Sequence, residues 1–452
     1  MDMSFGIMNY ERDRGNLPYM PVVNMFVEKI EIEPTGVSLQ SRSGIQNSAV
    51  TMGAGPIRQL FQVDGVLNNG LFGLSDINLY NSGTLIGATD GNGAVSMDGY
   101  ENNLFICAGE RLWSYNGSAL TATYLPTGGR ALKVVVGASR AIVIEKDTQK
   151  FFFSNPLSTT IGALSFSSAE NSPDRLRDAI YLGDTLILFG ANTVEFWPVT
   201  QDANAPFLPL KGRVFQKGIR GTGMVAKIND TFAWVTEDNE VCLGTPDAVI
   251  SEMGLSKRIA DSLTVKTWTF FLDSTEMLCI SLDDEDNIFN PATGSWTVFT
   301  STGYANWLPK YYVNGYFGSG VTGQLYSWAT TFSDFGGSLE RRFRAWLPLN
   351  SGTTVVNNLI LRCNPGHTPF LTGDYIDPIV EMRTSSDGGF TFRNWRQRNM
   401  GAQGHYFKQV FWNSLGGFSF PGALVEFRMT DPAPFRVSNV LANEPYGGLN
   451  GV

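Results

Sequence analysis

Residues 185–197 read TLILFGANTVEFW: two apolar runs, 185–189 and 194–197, on either side of the small polar turn Gly190-Ala-Asn-Thr193. Two strand-forming runs around a tight turn spell a hairpin with an apolar face. The pattern recurs along the chain. LFGLSDINLY (71–80) turns near Asp76, LFICAGERLWSY (104–115) near Gly109 and AIVIEKDTQKFFF (141–153) near Lys146. TFAWVTEDNEVCL (231–243) turns near Glu237, MLCISLDDEDNIF (277–289) near Asp283 and YFGSGVTGQLYSW (316–328) near Val321. With the turn near Ala191, the turn-to-turn spacings are 33, 37, 45, 46, 46 and 38 residues. Propeller blades of four strands recur at roughly 40–50 residues. Seven hairpins at that pitch predict a β-propeller of six or seven blades. One blade cannot bury both of its faces alone, and radial packing buries them while shielding the sheet edges. A run of ordinary hairpins in a sandwich is the competing arrangement.

The composition points the same way. Of 452 residues only 17% are charged, against a usual share of about 25%. Gly (49) and Pro (21) are plentiful and aromatics reach 12%. Solvent-facing helices need Glu, Lys and Arg, whereas turns, aromatics and β-branched residues suit sheets. An all-β chain is expected, and an all-α or disordered one is excluded. No window approaches 18 uninterrupted apolar residues, so no transmembrane helix and no membrane insertion are expected. The start, MDMSFGIMNYERDRG, lacks a basic stretch followed by an apolar one, so no secretory signal is expected. Cys107, Cys242, Cys279 and Cys363 lie at long spacings, as buried free thiols do in a reducing compartment.

Both ends differ from the repeat. Residues 1–54 include MPVVNMFVEKIEIEPTGVSLQSRSGI, with two strand-like stretches and no blade pattern. They are expected as an extended N-terminal arm on the main body or on a neighbour. Residues 55–335, the predicted propeller, carry 18 positive and 28 negative side chains, net −10. Residues 336–452 carry 11 and 8, net +3, and the shift falls at Phe335-Gly-Gly-Ser338. Alternation in ALVEFRMT and FTFRNWRQ predicts an antiparallel, sandwich-like C-terminal β domain over 336–452.

Little chemistry is legible. There are two histidines, His367 and His405. Cys363-Asn-Pro-Gly-His367 has a metal-like spacing but no second pair to close a site. Gly221-Thr-Gly223-Met-Val-Ala226 loosely matches a dinucleotide fingerprint, but strand-like residues follow where a helix is required. The run Asp283-Asp-Glu-Asp-Asn287 reads as a solvated hairpin tip, lacking the Gly and distal Glu of an EF-hand loop. No catalytic residue, metal ligand or cofactor site is assigned. A net charge of −9 disfavours a free-standing duplex-binding domain. Ser385-Ser-Asp387-Gly-Gly389-Phe-Thr391-Phe fits the Asp box, S-x-D-x-G-x-T-W/F, and resembles hairpin turns of sialidases. Its Ser and Asp hold the turn by bonding backbone amides, so Ser385, Asp387, Gly389 and Thr391 are read as a folding device. The stretch Arg393-Asn-Trp-Arg396-Gln-Arg398 follows. Its arginines are candidates for docking a carboxylate-rich partner, with an exposed strand face over packed aromatics as the alternative.

The stretch 183–241 resembles the packaged-DNA stabilisation, or tail hub (nozzle), proteins of P22-like short-tailed bacteriophages. The pieces Gly190-Ala-Asn-Thr193-Val-Glu195-Phe196 and Phe215-Gln-Lys217-Gly218-Ile-Arg-Gly221-Thr222 carry the likeness, with similar stretches at 21–30 and 381–418. The resemblance implies a β-propeller subunit of the virion's short tail, made in the host cytoplasm and assembled as a homo-hexameric ring below the head-to-tail adaptor. It also implies that the ring continues the DNA channel, retains the packaged genome, and carries tailspikes or fibres and a tip plug or needle. The role is structural, so no enzymatic residue is carried over, and an acidic wall suits transient passage of DNA. A carbohydrate-active propeller, sialidase-like or lectin-like, is the second reading, and a secreted adhesin the third.

Overall fold

The computed structural model describes residues 1–5, 19–30, 36–91, 93–126, 128–169, 174–368 and 371–443. Each of the seven hairpins forms the middle pair of a four-stranded antiparallel sheet. In the fourth, Thr185–Gly190 pairs with Val194–Pro198, with Ile187 opposite Phe196. Leu176–Leu182 flanks it on one side and Val214–Phe215 on the other. Asp76, Asp147 and Asn239 take φ of 49°, 62° and 65° in hairpin turns, a left-handed conformation that Asn and Asp tolerate best after Gly.

The described residues form seven such sheets, or blades. Their first strands, beginning with Ile57–Phe61, Ser96–Tyr100 and Ala131–Gly137 and ending with Pro309–Val313, each touch the next and close into a ring. The count is therefore seven. Apolar faces are buried between neighbours. Phe151 of blade three meets Trp197 of blade four at 5.2 Å, and Phe189 of blade four meets Phe232 of blade five at 5.6 Å. Each such side chain contributes about 1.5–3 kcal/mol through burial.

Within residues 1–54, expected as an extended arm, the described stretches include four paired strands. Ile45–Thr51 supplies the fourth strand of blade seven, with Ile45 opposite Trp328. The chain then runs directly into blade one, so this pairing latches the last blade to the first. Met25–Lys29, Val37–Ser41 and Asp2–Phe5 join the C-terminal strands in a ten-stranded antiparallel sheet. Asp2–Phe5 crosses between its halves, pairing first with Arg436–Ala442 and then with Arg341–Pro348. The sheet folds over one apolar core, in which Trp412 of one half lies 5.7 Å from Phe427 of the other. This is the predicted sandwich, built from both ends of the chain.

Arg42 ties the two parts together. Its fully buried guanidinium donates to both carboxylate oxygens of Asp334 (3.0 and 2.8 Å), to Asn24 Oδ1 and to the carbonyls of Ser43 and Thr300. The sequence reading missed one helix, Met253–Asp261. Leu255 and Ile259, one turn apart, bury its apolar stripe among Ile228, Leu278 and Trp296. No described helix is long and apolar enough to cross a membrane.

Candidate interaction surfaces

The two sequence pieces at 190–196 and 215–222 meet at the junction of blades four and five. The carboxylate of Asp174 is buried and accepts the backbone N–H of Ala191 (3.0 Å), Asn192 (2.6 Å) and Thr193 (2.8 Å), together with the Thr193 hydroxyl. A Cβ on Gly190 would stand 2.3 Å from Asp174 Oδ2, so only glycine fits beneath this cap. Gly218 packs against the same turn, where a Cβ would stand 2.3 Å from the Ala191 carbonyl, and Ile219 N–H donates to Gly190 O at 2.9 Å. Lys217 pairs with Glu240. Arg220 bonds the carbonyls of Ile259 and Ser262 at the end of the helix. The Thr222 hydroxyl donates to Arg177 O at 2.7 Å, and Arg177 donates back to the carbonyls of Ile219 and Arg220. These residues stitch blade to blade. Gly221 and Gly223 lead into the strand Val225–Ile228, so the dinucleotide geometry is not formed.

The turn at 385–391 is held by its own side chains. Ser385 Oγ donates to Asp387 Oδ1 at 2.6 Å and accepts from Gly389 N–H at 2.9 Å. Asp387 accepts the Thr391 N–H (2.9 Å) and hydroxyl (2.5 Å). The hydroxyls of Ser385 and Thr391 hold the Asp387 carboxyl well below the usual carboxylate range.

Beyond the turn, the chain folds back over the sandwich's outer face. Tyr19, Arg344, Phe392, Arg383, Trp395 and Arg428 stack in that order, cation over ring, with the closest centroid distance 4.2 Å. Buried Glu426 accepts from Arg344 (2.6 Å) and Arg383 (2.7 Å), and Glu381 accepts from Arg428 (2.7 Å). Arg393, Arg396 and Arg398 stand apart from this stack. They donate to the carbonyls of Leu415 (2.6 Å), Asn413 (2.6 Å) and Phe411 (2.9 Å), all on the strand Val410–Ser419. Arg396 and Arg398, on the strand Arg396–Asn399, therefore bridge two strands with no ladder between them; Arg393 and Arg398 are exposed and Arg396 is half-buried. Phe390, at the tip of the turn, is 91% exposed.

In the acidic run at 283–287 the tip residues Asp283 and Asp284 are exposed, whereas the run turns inward beyond them. Asp286 is fully buried, accepts Trp307 N–H at 2.7 Å and pairs with Lys310. Glu285 pairs with Arg258, and Asp283 accepts the N–H groups of Leu263 and Thr264. Asp286 thus meets donors of the next blade, while Asp283 and Glu285 meet the segment that leads into their own. His367 and His405 lie on adjoining loops, with Gly404 N–H on Gly366 O at 3.1 Å. Among the described residues no three His, Cys, Asp or Glu side chains gather as a metal site. The four cysteines are unpaired. Burial pushes the thiols of Cys107 and Cys363 up to about 12 and that of Cys242 to about 11.

The sequence reading also missed the inner wall of the ring. A cavity of about 710 Å³ opens between the first strands of the blades, lined in part by Arg58, Lys133, Lys227 and Lys266. Asp98 stands in the same wall, and Asp178 is fully buried just behind it. Asp178 accepts Gly223 N–H at 2.6 Å and pairs with Lys133 at 2.8 Å, and Asp98 accepts Val136 N–H at 2.7 Å. The signal was a lone cation in each of ALKVVVG, VAKI and VKTWTF, just ahead of a hairpin.

A closed seven-bladed propeller joined to a sandwich, with the sequence pieces at 190–196 and 215–222 making blade-to-blade bonds, defines a β-propeller protein. The family described as "Bacteriophage P22 Gp10, beta-propeller" matches residues 4–261, more than half of the chain. The chain belongs to that family and is a phage structural protein, a component of the virion. No curated protein sequence matches it. Solved structures similar to part of it include BBS1N in complex with ARL6DN (TM-score 0.43, 13% identity, 65% of this chain and 99% of that one). BamB from Moraxella catarrhalis is another (TM-score 0.36, 13% identity, 64% and 98%), as is YCF48 from Cyanidioschyzon merolae (TM-score 0.41, 11% identity, 63% and 98%).

Proposed function

We propose that the protein is the tail hub, or nozzle, of a short-tailed phage. Six copies form a ring below the head-to-tail adaptor, continue the DNA channel, retain the packaged genome and carry the tailspike or fibre and the tip plug. The observation that carries this reading is the family match over residues 4–261, which runs from the sandwich's first strands through blade five and its helix. The acidic propeller, net −10 over 55–335, supports passage of DNA without retention, since each phosphate contact needs a Lys or Arg. The role is structural rather than enzymatic. The sandwich, with the charges of exposed Arg393 and Arg398 and half-buried Arg396, is the side offered to an acidic protein neighbour. Sedimentation of the purified chain tests the ring: a species near six subunits that dissociates as salt screens surface charge is expected. A monomer at all salts, or sub-micromolar duplex binding at physiological salt, would contradict it.

A further inference from the structure

We infer that the axial cavity of the propeller binds a small oxyanion, a ligand bearing phosphate or carboxylate groups. The propeller segment is acidic overall, yet the cavity wall brings together Arg58, Lys133, Lys227 and Lys266 from blades one, three, five and six, against the carboxylate of Asp98, with that of Asp178 buried behind the wall. Those two carboxylates are already committed. Asp178 is fully buried and saturated by Lys133 and the N–H groups of Ala179 and Gly223. Asp98 accepts from Gly99 and Val136. Burial raises its carboxyl, while the Val136 N–H and the charges of Lys227 and Lys133 pull it back down.

The cations are less committed. Lys133 is paired, and Arg58 is spent on the carbonyls of Asp76, Gly91 and Gly93. Lys227 and Lys266 are exposed, and their ammonium groups make no hydrogen bond among the described residues. The contact recorded for Lys266 is with the face of Tyr311, 5.4 Å away. Thr267 stands in the same wall, 7% exposed, and its hydroxyl has no hydrogen-bond partner there. About 710 Å³ lies within the roughly 300–1,000 Å³ of small-molecule sites. Walls of low dielectric concentrate the field of such cations on an entering anion. A DNA duplex is far too wide to enter, so this site is separate from the conduit, and the inference stands whether or not the chain forms a ring.

The test is calorimetric titration of the purified full chain with sodium pyrophosphate and, separately, citrate, at fixed ionic strength. The variants are Lys227→Met, Lys266→Met, the double variant, and Lys211→Met in an outer loop as control. Saturable binding of one ion per chain is expected for at least one of the two probes. Each inner variant weakens it by about tenfold, the equivalent of one charge contact of about 1.4 kcal/mol. The double variant abolishes it at an unchanged melting temperature, and Lys211→Met leaves it intact. No binding of either probe by the unaltered chain, or binding that survives in the double variant, would overturn the inference.

Discussion

Asp174 caps a turn that the sequence shows only as small and polar. Three backbone N–H groups and a hydroxyl converge on its carboxylate. Asp174→Ala leaves buried donors unpaired, so a loss of about 3 kcal/mol is expected, read as a drop in the urea midpoint. Asp387 makes a similar cap in a more exposed turn, and Asp387→Ala is expected to cost about 1 kcal/mol. Its carboxyl is held below the ordinary value in the folded chain. The bonds it makes therefore stabilise at pH above the unfolded value of about 3.9, and the contribution is lost as pH falls towards the folded value. The gap in urea midpoint between the unaltered chain and Asp387→Ala should be full at pH 6 and narrow below about pH 4. A constant gap would count against the ionised turn. The Asp387 turn was legible because all its partners lie within seven residues. Asp174 was not, because it stands 16 residues before the glycine it covers.

Hairpins were legible because a run–turn–run pattern is local. What joins them was not. The closing strand Ile45–Thr51 pairs with residues some 280 positions away, and nothing in IQNSAVT announces that partner. The Arg42–Asp334 pair has the same character: a buried ion pair between the start of the chain and the exit from blade seven. Removing one partner strands the other charge away from water. Asp334→Ala is therefore expected to destabilise by about 3–5 kcal/mol, seen as a fall in melting temperature. Deleting residues 1–54 removes the latch of blade seven and three strands of the sandwich at once. That deletion should yield aggregated protein with exposed sheet edges, detected as material lost from the monomer or ring peak in size exclusion. The arginine stack was half legible: RRFRAW and FRNWRQR showed the residue types, but only the register sets Arg344, Glu426 and Arg383 in one row.

At the scale of the molecule, the chain is a ring of seven blades locked by its own N-terminal segment, with a sandwich made from both ends. Its thiols are enclosed in this frame, and burial raises those of Cys107 and Cys363 to about 12. A disulfide reagent at pH 8 should leave the native chain almost unmodified and label four cysteines once urea unfolds it. Fold class was accessible from the sequence because propeller pitch is a property of spacing. The axial cations were not, since the wall forms only when strands from separate blades are placed in a circle. Cryo-electron microscopy of the intact phage particle decides whether the chain is a hub of the short tail. A six-fold ring of seven-bladed propellers between the head-to-tail adaptor and the tip, enclosing a channel wide enough for duplex DNA, is expected. A particle whose tail holds no such ring, or holds this chain as scattered single copies, would contradict it.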